Sequence, residues 1–257
     1  MDLGIKGKRA LVTGGSRGIG ASVAKTLAAE GARVAVVSRD AESVETLIGE
    51  LGGERSGHYG QPLDLMEDGA CPAFIDDLEK NFGQVDIVVQ NLGGPMGVND
   101  PLCGIEDWRQ VLHFNLEITI ELNGLLIPHM KAQKWGRIVH VSSIAGVENT
   151  GPVPYCTAKA ALCAYTRSFG RVLAPDGIVM SAVVPGVVLT EGGYWDEKSR
   201  ENPEDVESYL ASRTPLGRFG MPDEIANITA FLCSQQASFM QAAIVPVDGG
   251  QAKGYFV

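Results

Sequence analysis

The 257-residue sequence predicts an α/β protein: one parallel β-sheet with helices on both faces. Three observations lead there. Short β-branched runs alternate with helix-like segments along the chain, the pattern of repeated βαβ units. The runs are apolar almost throughout, as strands are when helices cover both faces of a sheet. A glycine-rich turn, Thr13-Gly14-Gly15-Ser16-Arg17-Gly18-Ile19-Gly20, joins the first run to the first helix.

In chain order, Arg9 to Thr13 reads as a strand and Ile19 to Glu30 as a helix closed by Gly31. Arg33 to Ser38 is a strand, and Ala41 to Leu51 a helix ended by Gly52-Gly53. A weaker strand lies around Gly57 to Leu63, then a helix from about Met66 to Phe82 and a strand at Asp86 to Val89. Glu106 to Lys134 is mostly helical, Arg137 to Ser142 a strand, and Tyr155 to Ala174 a helix stopped by Pro175 and Gly177. Ile178 to Val184, the helix Pro222 to Ser234 and Ile244 to Val247 complete the set. No linker interrupts it, so the expectation is one domain over 1–257. Val187 to Arg213 lacks a period and reads as a substrate lid; it holds seven acids and two bases between Glu191 and Glu207.

Composition narrows the function. The formal charge is −10, and 45% of residues are hydrophobic. That balance opposes a nucleic-acid or anionic-membrane surface, which needs excess Lys and Arg. No stretch approaches the ~20 apolar residues of a membrane span, and nothing reads as a signal peptide. The five cysteines are scattered without zinc or redox spacing, so they read as reduced residues of a cytoplasmic protein without a metal site.

Three motifs carry chemistry. In the glycine turn, backbone approaches a phosphate unhindered by Cβ atoms, and the helix start offers free N–H groups. At the end of the second strand stand Ser38 and Arg39, where NAD-binding folds use an acid on the ribose. Arg39 with Arg17 suits a 2′-phosphate instead, so the reading is NADP(H) rather than NAD(H). Asp40 next door weakens that reading slightly. Tyr155 and Lys159 are four apart on one helix face, and a lysine ammonium beside a phenol lowers its pKa. The expectation is a tyrosine acid–base, with Ser142-Ser143 ending a strand upstream.

On these motifs the sequence resembles the classical short-chain dehydrogenases/reductases from Gly7 to Gly250. The match also includes Asp64-Leu65, Asn91-Leu92-Gly93, Asn115, Pro185-Gly186 with Thr190, and Val247-Asp248-Gly249-Gly250. The resemblance implies a Rossmann-type doubly wound domain with a seven-stranded parallel sheet. It implies that Tyr155 handles the proton, that Lys159 tunes it and holds the nicotinamide ribose, and that Ser143 holds the carbonyl oxygen, with Ser142 still open. Asn115 would support a water-linked proton path to Lys159. Gly14, Ser16, Arg17, Gly18, Ile19 and Gly20 would cradle the cofactor, with Ser38 and Arg39 at its ribose. Asp64 would meet the adenine amine and Leu65 its ring. Asn91 and Gly93 would line the cofactor, and Pro185, Gly186, Val188 and Thr190 would border the carboxamide end. The chain departs from the family in Leu92 and in the loop Gly94-Pro95-Met96-Gly97, which should reshape the substrate entrance.

The implied reaction is interconversion of a ketone and a secondary alcohol, with a 3-oxoacyl substrate first, free or carrier-bound. Lys131, Lys134, Arg137, Arg167 and Arg171 could dock an acidic carrier near the active-site mouth, although the acidic lid argues against one. A sugar, polyol or secondary-metabolite ketone is the rival, and an idle dinucleotide binder is the reading from another class. Trp195 or Tyr194 in the lid could face substrate. The resemblance also implies a homotetramer.

Overall fold

The computed structural model describes residues 1–254. Seven strands form one parallel sheet in the order β3-β2-β1-β4-β5-β6-β7. They are β1 (Arg9–Thr13), β2 (Arg33–Ser38), β3 (Tyr59–Pro62), β4 (Ile87–Gln90), β5 (Gly136–Val141), β6 (Ile178–Pro185) and β7 (Ile244–Val247). The strand order reverses between β1 and β4, where Thr13 is in register with Gln90. In open parallel sheets the crevice at this reversal is the ligand site.

Alternation along the strands builds two cores. Val12, Val36, Val89, Val139 and Val183 face one side, under α1 (Gly18–Ala29), α2 (Ala41–Glu50) and α9 (Pro222–Leu232). Leu11, Val37, Val88, Ile138 and Met180 face the other. There they meet Phe74 and Leu78 of α3 (Ala70–Asn81), Leu122 and Leu126 of α5 (Ile118–Ala132), and Leu173 of α6 (Val153–Leu173). The caps follow the sequence. Asp40 accepts the Ser43 N–H at 2.7 Å to start α2. Pro222 opens α9, with Glu224 accepting the Met221 N–H at 2.8 Å.

Two segments differ from the sequence reading. The helical stretch from Glu106 is broken into α4 (Ile105–Leu112), a π-type turn at His113–Glu117, and α5. Asn115 lies in that turn, where the wider coil leaves room for its side chain to reach inward. The lid is also not irregular. It holds α7 (Tyr194–Glu201) and α8 (Pro203–Arg213). Neither carries a core-facing apolar stripe; α7 buries no residue and α8 only Val206. They stand instead on end charges. Asp196 and Glu197 sit in the first turn of α7, with Lys198 and Arg200 in the last, and Asp196 pairs with Arg200. Charges so placed complement the helix dipole, a signal that hydrophobic periodicity misses.

Candidate active site

The glycine loop is closed by its own backbone. Gly14 N–H bonds the Val37 carbonyl at 2.8 Å, and a Cβ at Gly20 would collide with the Gly14 carbonyl. Loop and helix can meet this closely only with glycine at 20. No side chain caps the first turn of α1, so its amides stay open to an anion. Asn91 ties the loop to β4, donating to the carbonyls of Thr13 and Gly14 at 3.1 and 3.0 Å. Thr13 Oγ1 accepts the N–H groups of Asn91 and Leu92 at 3.1 and 3.2 Å.

At the far end of the crevice, Ser16 Oγ donates to Ser38 Oγ at 2.9 Å. Arg17 and Arg39 are exposed beside them. Arg39 lies 3.7 Å from Asp64 Oδ2, and Asp64 Oδ1 accepts the Met66 N–H at 3.0 Å. Leu65 departs from the expectation. Its side chain is buried in the core with Leu11, Val37 and Phe74, so only its backbone is left for an adenine ring.

At the near end, a cavity of about 720 Å³ opens beneath the carboxyl ends of β4, β5 and β6. Arg17, Gly18, Ile19, Asn91 and Gly93 form its loop wall. Ser143, Tyr155 and Lys159 lie in it together, with Pro185, Gly186, Val188 and Thr190 opposite. Residues that pair across 12 or 16 positions of sequence thus share one space. Asn115 is fully buried just outside it. Its Oδ1 accepts the Gly94 N–H at 2.9 Å, and its Nδ2 donates to the carbonyls of Gly94 and Val111, each at 2.9 Å. A Cβ at Gly93 would lie 2.7 Å from both Asn115 Oδ1 and Lys159 Nζ, so the absence of a side chain at 93 lets the two polar groups converge.

The structure gives the two serines different partners. Ser142 points into α6, bonding the Lys159 carbonyl at 3.2 Å and lying 3.2 Å from Cys163 Sγ. Ser143 turns into the cavity, hydrogen-bonds Tyr155 and caps the short turn Ile144–Gly146. Successive residues of an extended chain face opposite ways, which is why the two hydroxyls find different partners although both residues line the cavity.

The electrostatics depart from the sequence reading. Burial pushes the Tyr155 phenol above its usual value, and its hydrogen bond with Ser143 offsets part of that rise. Lys159 stands over the same ring. Its Nζ is 5.8 Å from the Tyr155 ring centre and donates to the Val141 carbonyl at 2.9 Å. Burial also brings the lysine's own pKa down to about 8. Two groups that desolvate together each favour the neutral form.

The proposed basic patch does not exist at the mouth. Arg137 is 2% exposed, its guanidinium bound to the Ser234 and Gly136 carbonyls and Gln235. Lys131 and Lys134 pair with Asp176 at 3.2 and 2.7 Å. All three residues sit where β5 begins, the sheet end opposite the cavity. Arg167 and Arg171 are 12 and 16 residues along α6 from Tyr155, roughly 18 and 24 Å at the helical rise.

Sequence reasoning missed several lining residues. Asn99 comes from the loop after β4, Thr150 from the β5–α6 connection and Tyr209 from α8, while Pro95 lines the cavity from the loop that the sequence places at the substrate entrance. Glu191 of the lid lines it too, beside Tyr194 and Trp195, the two lid residues that the sequence reading offers to the substrate. Trp195 is the hub of an aromatic cluster, 4.6 Å from Tyr209, 5.1 Å from Tyr194 and 5.5 Å from Phe219 between ring centres. No helical stripe announces that cluster; the join of α7 to α8 assembles it. His140, given no role by the sequence, is wholly buried between Asn123 and Thr166, and burial holds its pKa down at about 3.

A parallel sheet with a phosphate-ready glycine loop at its switch point, above a Ser–Tyr–Lys cavity, defines a dinucleotide-dependent oxidoreductase. The family model described as enoyl-(acyl carrier protein) reductase matches residues 14–252. The 3-oxoacyl-[acyl-carrier-protein] reductase FabG of Pseudomonas aeruginosa is 34% identical, over 96% of this chain and 98% of that one. That of Aquifex aeolicus is 32% identical over 97% and 99%. Among solved structures, L-sorbose reductase from Gluconobacter frateurii, complexed with NADPH and L-sorbose, superposes with a TM-score of 0.89. It is 30% identical and covers 99% of this chain and 100% of that one. The chain belongs to the short-chain dehydrogenase/reductase family and is an oxidoreductase of it.

Proposed function

We propose that this chain is an NADP(H)-dependent reductase that converts a ketone to a secondary alcohol. The observation that carries the reading is the convergence of Ser143, Tyr155 and Lys159 in one cavity beside the glycine loop. The residues present fit the cofactor. The open first turn of α1 and the Cβ-free loop suit its pyrophosphate, and the Ser16–Ser38 hydroxyl pair between Arg17 and Arg39 suits a 2′-phosphate. Bound there, a reduced nicotinamide supplies the hydride.

The chain's own residues do the rest. Ser143 donates a hydrogen bond to the carbonyl oxygen and stabilises the charge that grows on it. Tyr155 gives its proton to that oxygen. Lys159 holds the ribose side of the site and, with Asn115 behind it, carries the path by which Tyr155 is reprotonated. The raised phenol pKa suits this direction, because the proton to be donated is present at neutral pH.

For the ketone, a 3-oxoacyl compound stands first, since it is what the two FabG relatives are named for. The lost basic patch removes the argument for a carrier-bound form. A small polyhydroxy ketone is a second reading, favoured by the acidic, aromatic lid wall of Glu191, Trp195 and Tyr209. Five free cysteines suit a reducing cytoplasm. Among the described residues no helix is long and apolar enough to cross a membrane.

Cofactor choice is the first test. Arg39→Ala should weaken NADPH by roughly 10–150-fold, the worth of a charge-assisted contact, and leave NADH nearly unchanged. Michaelis constants for both cofactors, native and variant, check this; equal native values would remove the phosphate reading. The homotetramer belongs to the same proposal. Ile120 and Leu125 of α5 and Val172 of α6 are exposed apolar side chains that subunit contacts would cover. Light scattering should then give four times the 27.3 kDa chain, and a monomeric mass would reject it.

A further inference from the structure

Tyr209 lines the cavity from the lid side and belongs to none of the motifs named above. Its hydroxyl accepts a hydrogen bond from Gln251 Nε2 at 2.9 Å. The direction of that bond is set by the rest of the structure. Gln251 is 3% exposed, and its Oε1 accepts the backbone N–H of Val187 at 3.1 Å. A backbone N–H can only donate, so the oxygen of the amide must face it and the NH₂ must face Tyr209. The phenol oxygen therefore acts as acceptor toward Gln251, and its own proton is left over. Among the described residues no acceptor meets that proton. It is free to donate into the cavity.

The arrangement is held from several sides. Gly186 has no Cβ, and one would lie 2.8 Å from Gln251 Oε1. Asp248 folds the chain back by accepting the N–H groups of Gly250 and Ala252 at 3.0 and 2.7 Å, which brings Gln251 under the start of the lid. The Tyr209 ring packs against Trp195, tilted by 44° at 4.6 Å between ring centres, which limits its swing. Arg213, at the end of the same helix, donates to Thr150 at 3.3 Å and ties α8 to the opposite cavity wall.

We propose that Tyr209 is a specificity-determining hydrogen-bond donor to a second oxygen of the substrate, and that Gln251 is the positioning residue that keeps its proton aimed at that oxygen. This rests on the ketone-reductase reading and narrows it. The substrate is a ketone that carries a further uncharged acceptor oxygen, an ester-type carbonyl or a hydroxyl, close to the reacting carbonyl. A carboxylate is disfavoured, because Glu191 shares the wall and the segment to Glu207 has a net charge of −5, from seven acids and two bases.

The experiment uses the full chain with NADPH and two substrate pairs of matched length. Ethyl 3-oxobutanoate against heptan-2-one tests the ester carbonyl, and 4-hydroxybutan-2-one against pentan-2-one tests the hydroxyl. The native protein should prefer the oxygenated member of one pair, which identifies the source of the oxygen. Tyr209→Phe should lower kcat/KM for that member by about threefold to tenfold, mostly through KM, and leave its hydrocarbon partner within about twofold. Gln251→Glu gives the sharper test. A carboxylate still accepts the Val187 N–H but also accepts the tyrosine proton, turning it away from the cavity. At pH 8 it should reproduce the Tyr209→Phe loss on the oxygenated ketone alone. Equal losses on both members of a pair, or a Gln251→Glu protein that discriminates like the native one, would overturn the proposal. If the native protein reduces none of the four ketones, the reductase reading fails by itself. Quenching of Trp195 fluorescence by the same ketones in the NADP⁺-saturated protein then decides on Tyr209. The same pattern in Kd upholds the donor role, and its absence overturns it.

Discussion

Tyr155→Phe should lower turnover by roughly 10²–10⁴ while NADPH affinity and melting temperature stay close to native. Reduction of a ketone leaves an alkoxide, and the oxygen must gain a proton before the alcohol can leave. Within the cavity the phenol is the group bonded to Ser143, the serine that turns inward. Phenylalanine keeps the ring and its packing and deletes only the proton. The pH profile adds a signed test. Burial raises the phenol pKa in the free protein, so the donor stays protonated throughout the neutral range. Lys159, at about 8, is the group that titrates first. Reduction, followed as kcat/KM, should therefore be flat below about 8 and decline above it as the lysine loses its charge. Alcohol oxidation needs the phenolate and should rise with pH. A Tyr155→Phe protein with near-native turnover on its best ketone would mean that another group supplies the proton.

Lys159→Met is expected to separate activity from stability. Turnover should fall by roughly 10² or more, with weaker cofactor binding, since the residue lines the cavity with Tyr155 and Ser143. The fold should not suffer. Lys159 is 2% exposed, and burial brings its pKa from 10.5 to about 8. Between those values the unfolded chain holds a proton that the folded chain has released. This group's contribution to stability therefore rises with pH across that window and is lowest below about 8. At pH 7 the buried charge costs on the order of 3 kcal/mol. Methionine removes that cost and leaves the Val141 carbonyl without its donor, a loss of about 1–2 kcal/mol. The variant should melt no lower than native at pH 7, and the rise in stability from pH 8 to 10 should shrink. A strongly destabilised variant would mean that the lysine is held for packing and not for chemistry.

The sheet was legible because each strand carries its own evidence. RVAVVS at 33–38 is apolar on both faces, and it is β2 to the residue. The turn at 13–20 was legible because its glycines answer a local demand, the collision at Gly20. The lid was not legible as helix, since α7 and α8 are held by end charges and not by a buried stripe. The basic patch was misplaced for a related reason. Lys131, Lys134 and Arg137 are close in sequence to the β5 strand that leads to Ser143, but they stand at its beginning, and the chemistry is at its end.

The strands, most helices outside the lid, the phosphate-ready loop and the spacing that puts Tyr155 and Lys159 on one helix face were written in the sequence. Those are short-range properties, written within a few turns or strand positions. Long-range packing settled that Ser142 bonds into α6 while Ser143 meets Tyr155, that Lys159 donates to the Val141 carbonyl, and that Gln251 donates to the Tyr209 hydroxyl. Each of these depends on groups 17, 18 or 42 residues apart. Their meeting is set by the strand order and by burial, which no local pattern of residues records.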